Sequence, residues 1–332
     1  MTPPLALSLG EPAGIGPEIV ARAWAALRDG GPTFVVIGDA RLVEAGGAPV
    51  AAVFDPAEAR SAFPRAVPVI DLPTAVPATP GRPDPANAGC VADWIARAVD
   101  LAMDGSAAGV VTAPIAKAPL YAAGFPFPGH TEFIADLTGD LPYDGTRGPV
   151  MMLTARDLKV ALVTIHTPLA EVPELITADR VIRTARVVHE TLRRDFGVAR
   201  PRLALAGLNP HAGEGGSLGL EEVEVLGPSA AALRAEGIEI TDPLAADTLF
   251  HEEARAAYDA AICLYHDQAL IPVKTIDFWG GVNVTLGLPV VRTSPDHGTG
   301  FEIAGKGVAR ADSLIAAIRL GAEMAARRRG LK

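Results

Sequence analysis

Short, wholly apolar runs alternate with helix-forming stretches along this chain, and that alternation restricts the fold more than any other feature. Leu5 to Leu9 reads as a buried strand, and Gly10-Glu11-Pro12-Ala13-Gly14-Ile15-Gly16-Pro17 turns it into a helix near Glu18 to Leu27. Pro17 suits a first helical turn, where its missing N–H is not needed. Thr33 to Ile37 is a second strand, ended by Gly38-Asp39. Residues from about Leu72 to Gly89 form a long loop, a helix follows from Val91 to Met103, and Gly109 to Thr112 is the next strand. Further on, Val150 to Leu153 and Val160 to Thr164 read as strands that could form a hairpin through Arg156-Asp157. Ala178 to Arg194 is an amphipathic helix, Leu203 to Ala206 and Ala260 to Leu264 are strands, and Ser313 to Arg328 is a terminal helix. Such βαβ alternation predicts a mostly parallel sheet with helices on both faces.

The 332 residues exceed the roughly 150 of an ordinary domain. No internal repeat and no low-complexity linker interrupts them, so two α/β lobes without a flexible tether are expected. Apolar residues make up 49% and charged residues 20%, enough to bury a core and unlike a disordered chain. Aromatics at 5% offer no stacking platform for nucleic acid. The net charge of −10 argues against nucleic acid and anionic membranes as partners. An anionic substrate would then need a local cluster of donors. Two cysteines, Cys90 and Cys263, make neither a disulfide framework nor a four-sulfur zinc site, which points to a reducing compartment. Met1-Thr2-Pro3-Pro4 carries no secretory pattern, and no run reaches the ~18 apolar residues of a membrane span. A soluble, cytoplasmic protein is expected, with Arg327-Arg328-Arg329 opposing the dipole of the last helix.

Three histidines share one context. His166, His211 and His266 each follow an apolar strand, at the end where open α/β sheets bind ligands. Three imidazoles delivered there could converge on one divalent ion and leave a position open for substrate. The bland alternative is three ordinary loop or core histidines. Gly10 to Gly16 is neither a dinucleotide fingerprint nor a P-loop. Asn209-Pro210-His211-Ala212-Gly213-Glu214-Gly215-Gly216 could turn backbone N–H groups toward an anion, and Ser294 to Gly300 is a second polar strand-end loop. Basic residues near these loops are few: Lys117, Lys274 and Arg292, the last read as the end of a strand and a natural carboxylate or phosphate fork. Gly129-His130-Thr131-Glu132-Phe133 puts a histidine and a hydroxyl at a helix start, where orphan N–H groups favour anions. Leu270-Ile271-Pro272-Val273 is more apolar than an exposed loop should be.

Taken together, these strings resemble the PdxA family, the 4-hydroxythreonine-4-phosphate dehydrogenases of vitamin B6 biosynthesis. The resemblance runs over nearly the whole chain. It rests on Gly10 to Glu18, Gly129 to Phe133, Leu208 to Glu214, Ala246-Asp247-Thr248, Tyr265-His266-Asp267-Gln268, Gly281 to Pro289 and Arg292 to Thr299. It implies two α/β lobes around a cleft, similar to isocitrate and isopropylmalate dehydrogenases, with 1–128 and 285–332 in one lobe and 129–284 in the other. It also implies a homodimer whose active site is shared, with His166 and His211 from one chain and His266 from its partner holding a divalent metal, zinc, cobalt or magnesium. His130, Thr131, Lys274, Asn283 and Arg292 would then bind substrate. NAD or NADP would bind without a standard fingerprint, and Asp247 and Asp267 are candidates to orient the histidines. The implied reaction oxidises 4-phosphooxy-L-threonine to a 2-amino-3-oxo acid, which decarboxylates to 3-amino-2-oxopropyl phosphate. Ala116 departs from the pattern, since a polar residue is expected there in relatives. That leaves 4-phosphoerythronate or a dihydrodiol carboxylate as alternative substrates. Outside the family, a three-histidine metallohydrolase and a noncatalytic small-molecule binder are the competing readings.

Overall fold

The computed structural model describes residues 2–330 and divides into two compact α/β units. One runs up to Pro142 and resumes at Leu288, and the other is Tyr143–Gly287.

The first unit holds β1 (Leu5–Ser8), β2 (Phe34–Gly38), β3 (Val50–Ala52), β4 (Val67–Asp71), β5 (Val110–Thr112) and β12 (Arg292–Pro295). Their order is β3-β4-β2-β1-β5-β12, and neighbours run parallel. Parallel neighbours require crossovers, which the Gly16–Leu27 and Ala88–Met103 helices supply. β1 and β2 are buried along their whole length, which is why they stand out as apolar runs. Gly10 closes the turn after β1 with φ +79, and a Cβ there would sit 2.5 Å from the Pro114 carbonyl oxygen. Only glycine fits.

Asp39 follows β2 and is 1% exposed. Burial alone would raise its carboxyl, but hydrogen bonds from Arg41 and Thr74 outweigh that and hold it far below the usual carboxylate range. A depressed carboxyl stabilises the fold above its ordinary value, and the gain is lost as pH falls through the folded value. Asp39→Asn should therefore cost about 2 kcal/mol at neutral pH. In denaturant titrations that difference should shrink on acidification; a constant difference would contradict the assignment.

The second unit holds β6 (Val150–Ala155), β7 (Leu158–Leu162), β8 (Arg202–Ala206), β9 (Glu239–Leu244), β10 (Ala260–Cys263) and β11 (Val282–Leu286). The order is β11-β6-β7-β10-β8-β9. β11, β6 and β7 are antiparallel neighbours, whereas β7, β10, β8 and β9 run parallel. The hairpin from β6 to β7 turns where the sequence places it, with Arg156 at φ 53. Leu153, Val160, Leu162, Ala261, Cys263 and Val273 pack in its core.

Five strands go beyond the sequence reading. β3 and β9 are only partly buried, so their apolar signal is weak. β4 and β11 carry Pro, Asp, Asn and Thr among their apolar residues. β12 is Arg-Thr-Ser-Pro yet wholly buried, so Arg292 opens a strand and does not end one. The segment after His266 is a helix, His266–Ile276, and not a loop; the internal Pro272 disguised it. Gln268, Ala269 and Val273 face inward there, and Ile271 faces out. The basic tail does more than oppose a dipole, because Arg328 donates to the carbonyls of Leu288 and Pro289. Cys90 and Cys263 are both free thiols. No described helix is long and apolar enough to cross a membrane.

Candidate active site

Parallel strands β7, β10 and β8 lie side by side, and their carboxyl ends run toward His166, His266 and His211 respectively. None of the three is buried: His166 and His211 are exposed, and His266 is half-buried. Packing does not explain them. The rings of His166 and His266 are 5.9 Å apart centre to centre. That suits two ligands of one ion, given metal–nitrogen bonds of about 2.0–2.1 Å. His266 Nδ1 lies 2.7 Å from Asp267 Oδ1. A carboxylate on the inner nitrogen fixes the ring and leaves Nε2 as the free donor atom, the arrangement metal-binding histidines use. His211 does not join this pair. Among the described residues, no group of three His, Cys, Asp or Glu side chains gathers as a metal cage.

His211 sits instead on an unusual turn. His211, Ala212, Gly213, Glu214 and Gly215 all have left-handed backbones, with φ of 53, 51, 76, 43 and 64. Left-handed geometry costs roughly 1–2 kcal/mol at each non-glycine residue, so something must hold the loop. Glu222, 5% exposed, accepts hydrogen bonds from the Leu208 and Asn209 backbone N–H groups at 2.7 and 2.8 Å and from Asn209 Nδ2 at 2.9 Å. Burial would raise its carboxyl, yet these bonds hold it below its ordinary value. Asp247 lies on the Ala246–Thr248 turn and lines, with Tyr265, Asp267, Gln268 and Ile271, a cavity of about 380 Å³. Lys274 lies eight residues beyond His266 on the same helix, with Nζ 5.4 Å from the Phe278 ring centre. Asn283, on β11, has a buried Oδ1 without a hydrogen-bond partner. A buried amide oxygen is costly unless something donates to it.

In the first unit, His130 opens the His130–Leu137 helix with Thr131 and Glu132 in its first turn. Phe125, Phe127 and Phe133 cluster with ring centres 5.0–5.3 Å apart and pin the preceding loop to that helix. His130 Nε2 is buried and has no hydrogen-bond partner. Burial first, then the charges of Arg292 and Lys117, push its imidazole well below the ordinary histidine value, so it is neutral at pH 7. Arg292 is 2% exposed, donates from Nη2 to Thr112 Oγ1 at 2.6 Å, and is pushed down to about 10 by burial against the pull of Glu132. It stays charged at neutral pH. One buried cation, one exposed lysine and a neutral imidazole around a helix start are groups that can attract and orient an anion.

Ala116 precedes the Lys117–Ala122 helix as its N-cap and, lacking an oxygen, caps nothing. Ala116→Ser should raise stability by about 1 kcal/mol; thermal unfolding checks this, and no gain would show that the turn is satisfied otherwise. Sequence reasoning missed Glu222, Thr112 and Gln268 as residues that shape the site. Thr112 carried a signal, a polar residue at the end of an apolar strand; Glu222 carried none.

Residues 31–321 match the model of the family described as pyridoxal phosphate biosynthetic protein PdxA. A relative from Caulobacter vibrioides, a 4-hydroxythreonine-4-phosphate dehydrogenase, is 61% identical over 327 residues, covering 98% of each chain. A crystal structure of the enzyme of that name from Klebsiella pneumoniae is 37% identical and superposes with a TM-score of 0.85 over 98% of this chain and 100% of its own. A terephthalate 1,2-cis-dihydrodiol dehydrogenase from Burkholderia xenovorans is 29% identical, with a TM-score of 0.64 over 97% of this chain and 98% of its own. Matches this long, on both sequence and fold, leave one assignment: this chain belongs to the PdxA family.

Proposed function

We propose that this chain is a metal-dependent, NAD- or NADP-linked dehydrogenase that oxidises the secondary hydroxyl of 4-phosphooxy-L-threonine. The product 2-amino-3-oxo acid loses carbon dioxide to give 3-amino-2-oxopropyl phosphate, on the route to pyridoxal phosphate. The observation that carries this reading is the His166–His266 pair, with Asp267 on the inner nitrogen of His266. A metallohydrolase would share those ligands, but the relatives sharing most of this sequence are named dehydrogenases.

His166, His211 and His266 are the residues that would hold the ion, zinc or cobalt on their imidazole chemistry, with magnesium the hard-ligand alternative. When bound, a divalent ion supplies Lewis acidity toward a substrate oxygen, and the nicotinamide accepts the hydride. Arg292 presents a buried charge to an anionic end of the substrate. His130, being neutral, can donate or accept a hydrogen bond there without adding charge. Lys274 is a second cation, and Asn283 offers its buried amide oxygen to a donor such as the substrate's amine. The two free cysteines suit the cytoplasm.

Among the described residues no third ligand joins the His166–His266 pair, which supports a dimer with shared sites. Ile271, Phe278 and Trp279, 64%, 60% and 50% exposed, give the His266 helix and the segment after it an apolar face suited to a partner. The resemblance implies that His166 and His211 belong to one subunit's site and His266 to its partner's. Inactive His166→Ala and His266→Ala chains should then recover activity when mixed as heterodimers, and His166→Ala with His211→Ala should not. The reverse pattern would make His211 the crossing ligand.

The reaction itself is tested by following reduced nicotinamide with 4-phosphooxy-L-threonine, 4-phosphoerythronate and a cis-dihydrodiol carboxylate, each with NAD and NADP. Fastest turnover of the phosphothreonine is expected. Preference for the dihydrodiol would support the reading that Ala116 and the 29% identical neighbour keep open.

A further inference from the structure

We propose that Gln268 is a positioning residue that locks together the strand ends carrying the three histidines. The inference rests on the reading of those histidines as metal ligands, and it concerns a side chain outside that ligand set. Gln268 is 7% exposed. Its Oε1 accepts from the Leu264 N–H at 2.7 Å, and its Nε2 donates to the Gly207 carbonyl at 2.7 Å. Leu264 lies two residues before His266, and Gly207 four before His211. One amide thus spans the carboxyl ends of β10 and β8, using an acceptor and a donor at once. On the other side of Leu264, its carbonyl accepts from Thr164 Oγ1 at 2.6 Å and from the Thr164 N–H at 3.1 Å. Thr164 lies two residues before His166. A continuous relay, Thr164–Leu264–Gln268–Gly207, therefore crosses all three strand ends.

A core filler would not be built this way. Regular strand pairing ends at Cys263 on β10, at Leu162 on β7 and at Ala206 on β8. Beyond it only single backbone bonds continue, Val163 to Cys263, Thr164 to Leu264 and Gly207 to Leu244, and the Gln268 amide adds the link between the ends of β10 and β8. Glu222 holds the next two residues, Leu208 and Asn209, so the path to His211 is fixed up to its left-handed turn. Ligand groups oriented by their outer hydrogen-bond partners typically lose 10- to 100-fold in metal affinity when those partners go.

The test is a cobalt(II) titration of metal-stripped full-length protein, following the visible cobalt bands, with thermal unfolding recorded alongside. Gln268→Met keeps the side chain's length but neither hydrogen bond. It should weaken cobalt(II) binding about tenfold or more and alter the cobalt bands. His211→Ala is measured in parallel. If His211→Ala weakens binding and Gln268→Met binds cobalt(II) with the affinity and spectrum of the unaltered protein, Gln268 is merely structural and the inference falls, whatever the unfolding temperature shows. If His211→Ala binds as the unaltered protein does, the metal reading itself is wrong. Should Gln268→Met fail to fold, Thr164→Val removes the hydroxyl bond of the same relay and leaves only the backbone bond to Leu264, with the same expectation of weaker binding and the same refutation if affinity is unchanged.

Discussion

His166→Ala and His266→Ala proteins should remain folded and lose nucleotide reduction by at least about a thousandfold. Lewis-acid stabilisation of developing charge is worth several kcal/mol, and roughly 4 kcal/mol is a factor of a thousand in rate. Folding should survive because both rings lie at the surface of their unit and not in its core: His166 is exposed and His266 half-buried. Metal analysis and circular dichroism on the same samples separate loss of the ion from loss of structure. Folded variants with full metal content and an unchanged rate would remove both histidines from the site. Asp267→Asn should give a milder loss, because it weakens the hydrogen bond on His266 Nδ1 without removing the ring.

Arg292→Ala should raise KM for the phosphorylated substrate by about a hundredfold or more, leaving metal content unchanged. Each charge-assisted hydrogen bond contributes about 1.5–3 kcal/mol, and a guanidinium makes two at once to a phosphate or carboxylate. The Thr112 hydroxyl, which now accepts from Arg292, would lose its partner, so a modest fall in stability is also expected. Arg292→Lys keeps the charge but not the fork and should recover only part of the affinity. An unchanged KM in a folded Arg292→Ala protein would show that the buried guanidinium serves packing alone.

Much of this was legible in the sequence, for identifiable reasons. Fully buried parallel strands such as β1, β2 and β10 must be continuous apolar runs, so they declare themselves and show where their carboxyl ends lie. Histidines immediately beyond such runs could therefore be placed at the ligand-binding end before any coordinates. β12 stayed hidden because its residues are polar, and its burial comes from neighbours that sequence reading cannot see. The His266–Ile276 helix was masked by Pro272 and by an apolar stretch whose inner and outer faces only the fold distinguishes. No local signal distinguishes Glu222 from any other acidic residue; its role comes from folding back onto Leu208 and Asn209. Which histidines meet was likewise beyond spacing, since it depends on sheet order, and on the partner if the site is shared.

Titration of metal-stripped protein with a divalent ion, recording bound metal and nucleotide reduction together, shows whether oxidation depends on the ion. With 4-phosphooxy-L-threonine present, the rate should rise from near zero in proportion to bound metal and level off at one ion per chain. Full-rate reduction by protein that analysis shows to be free of metal would contradict the account.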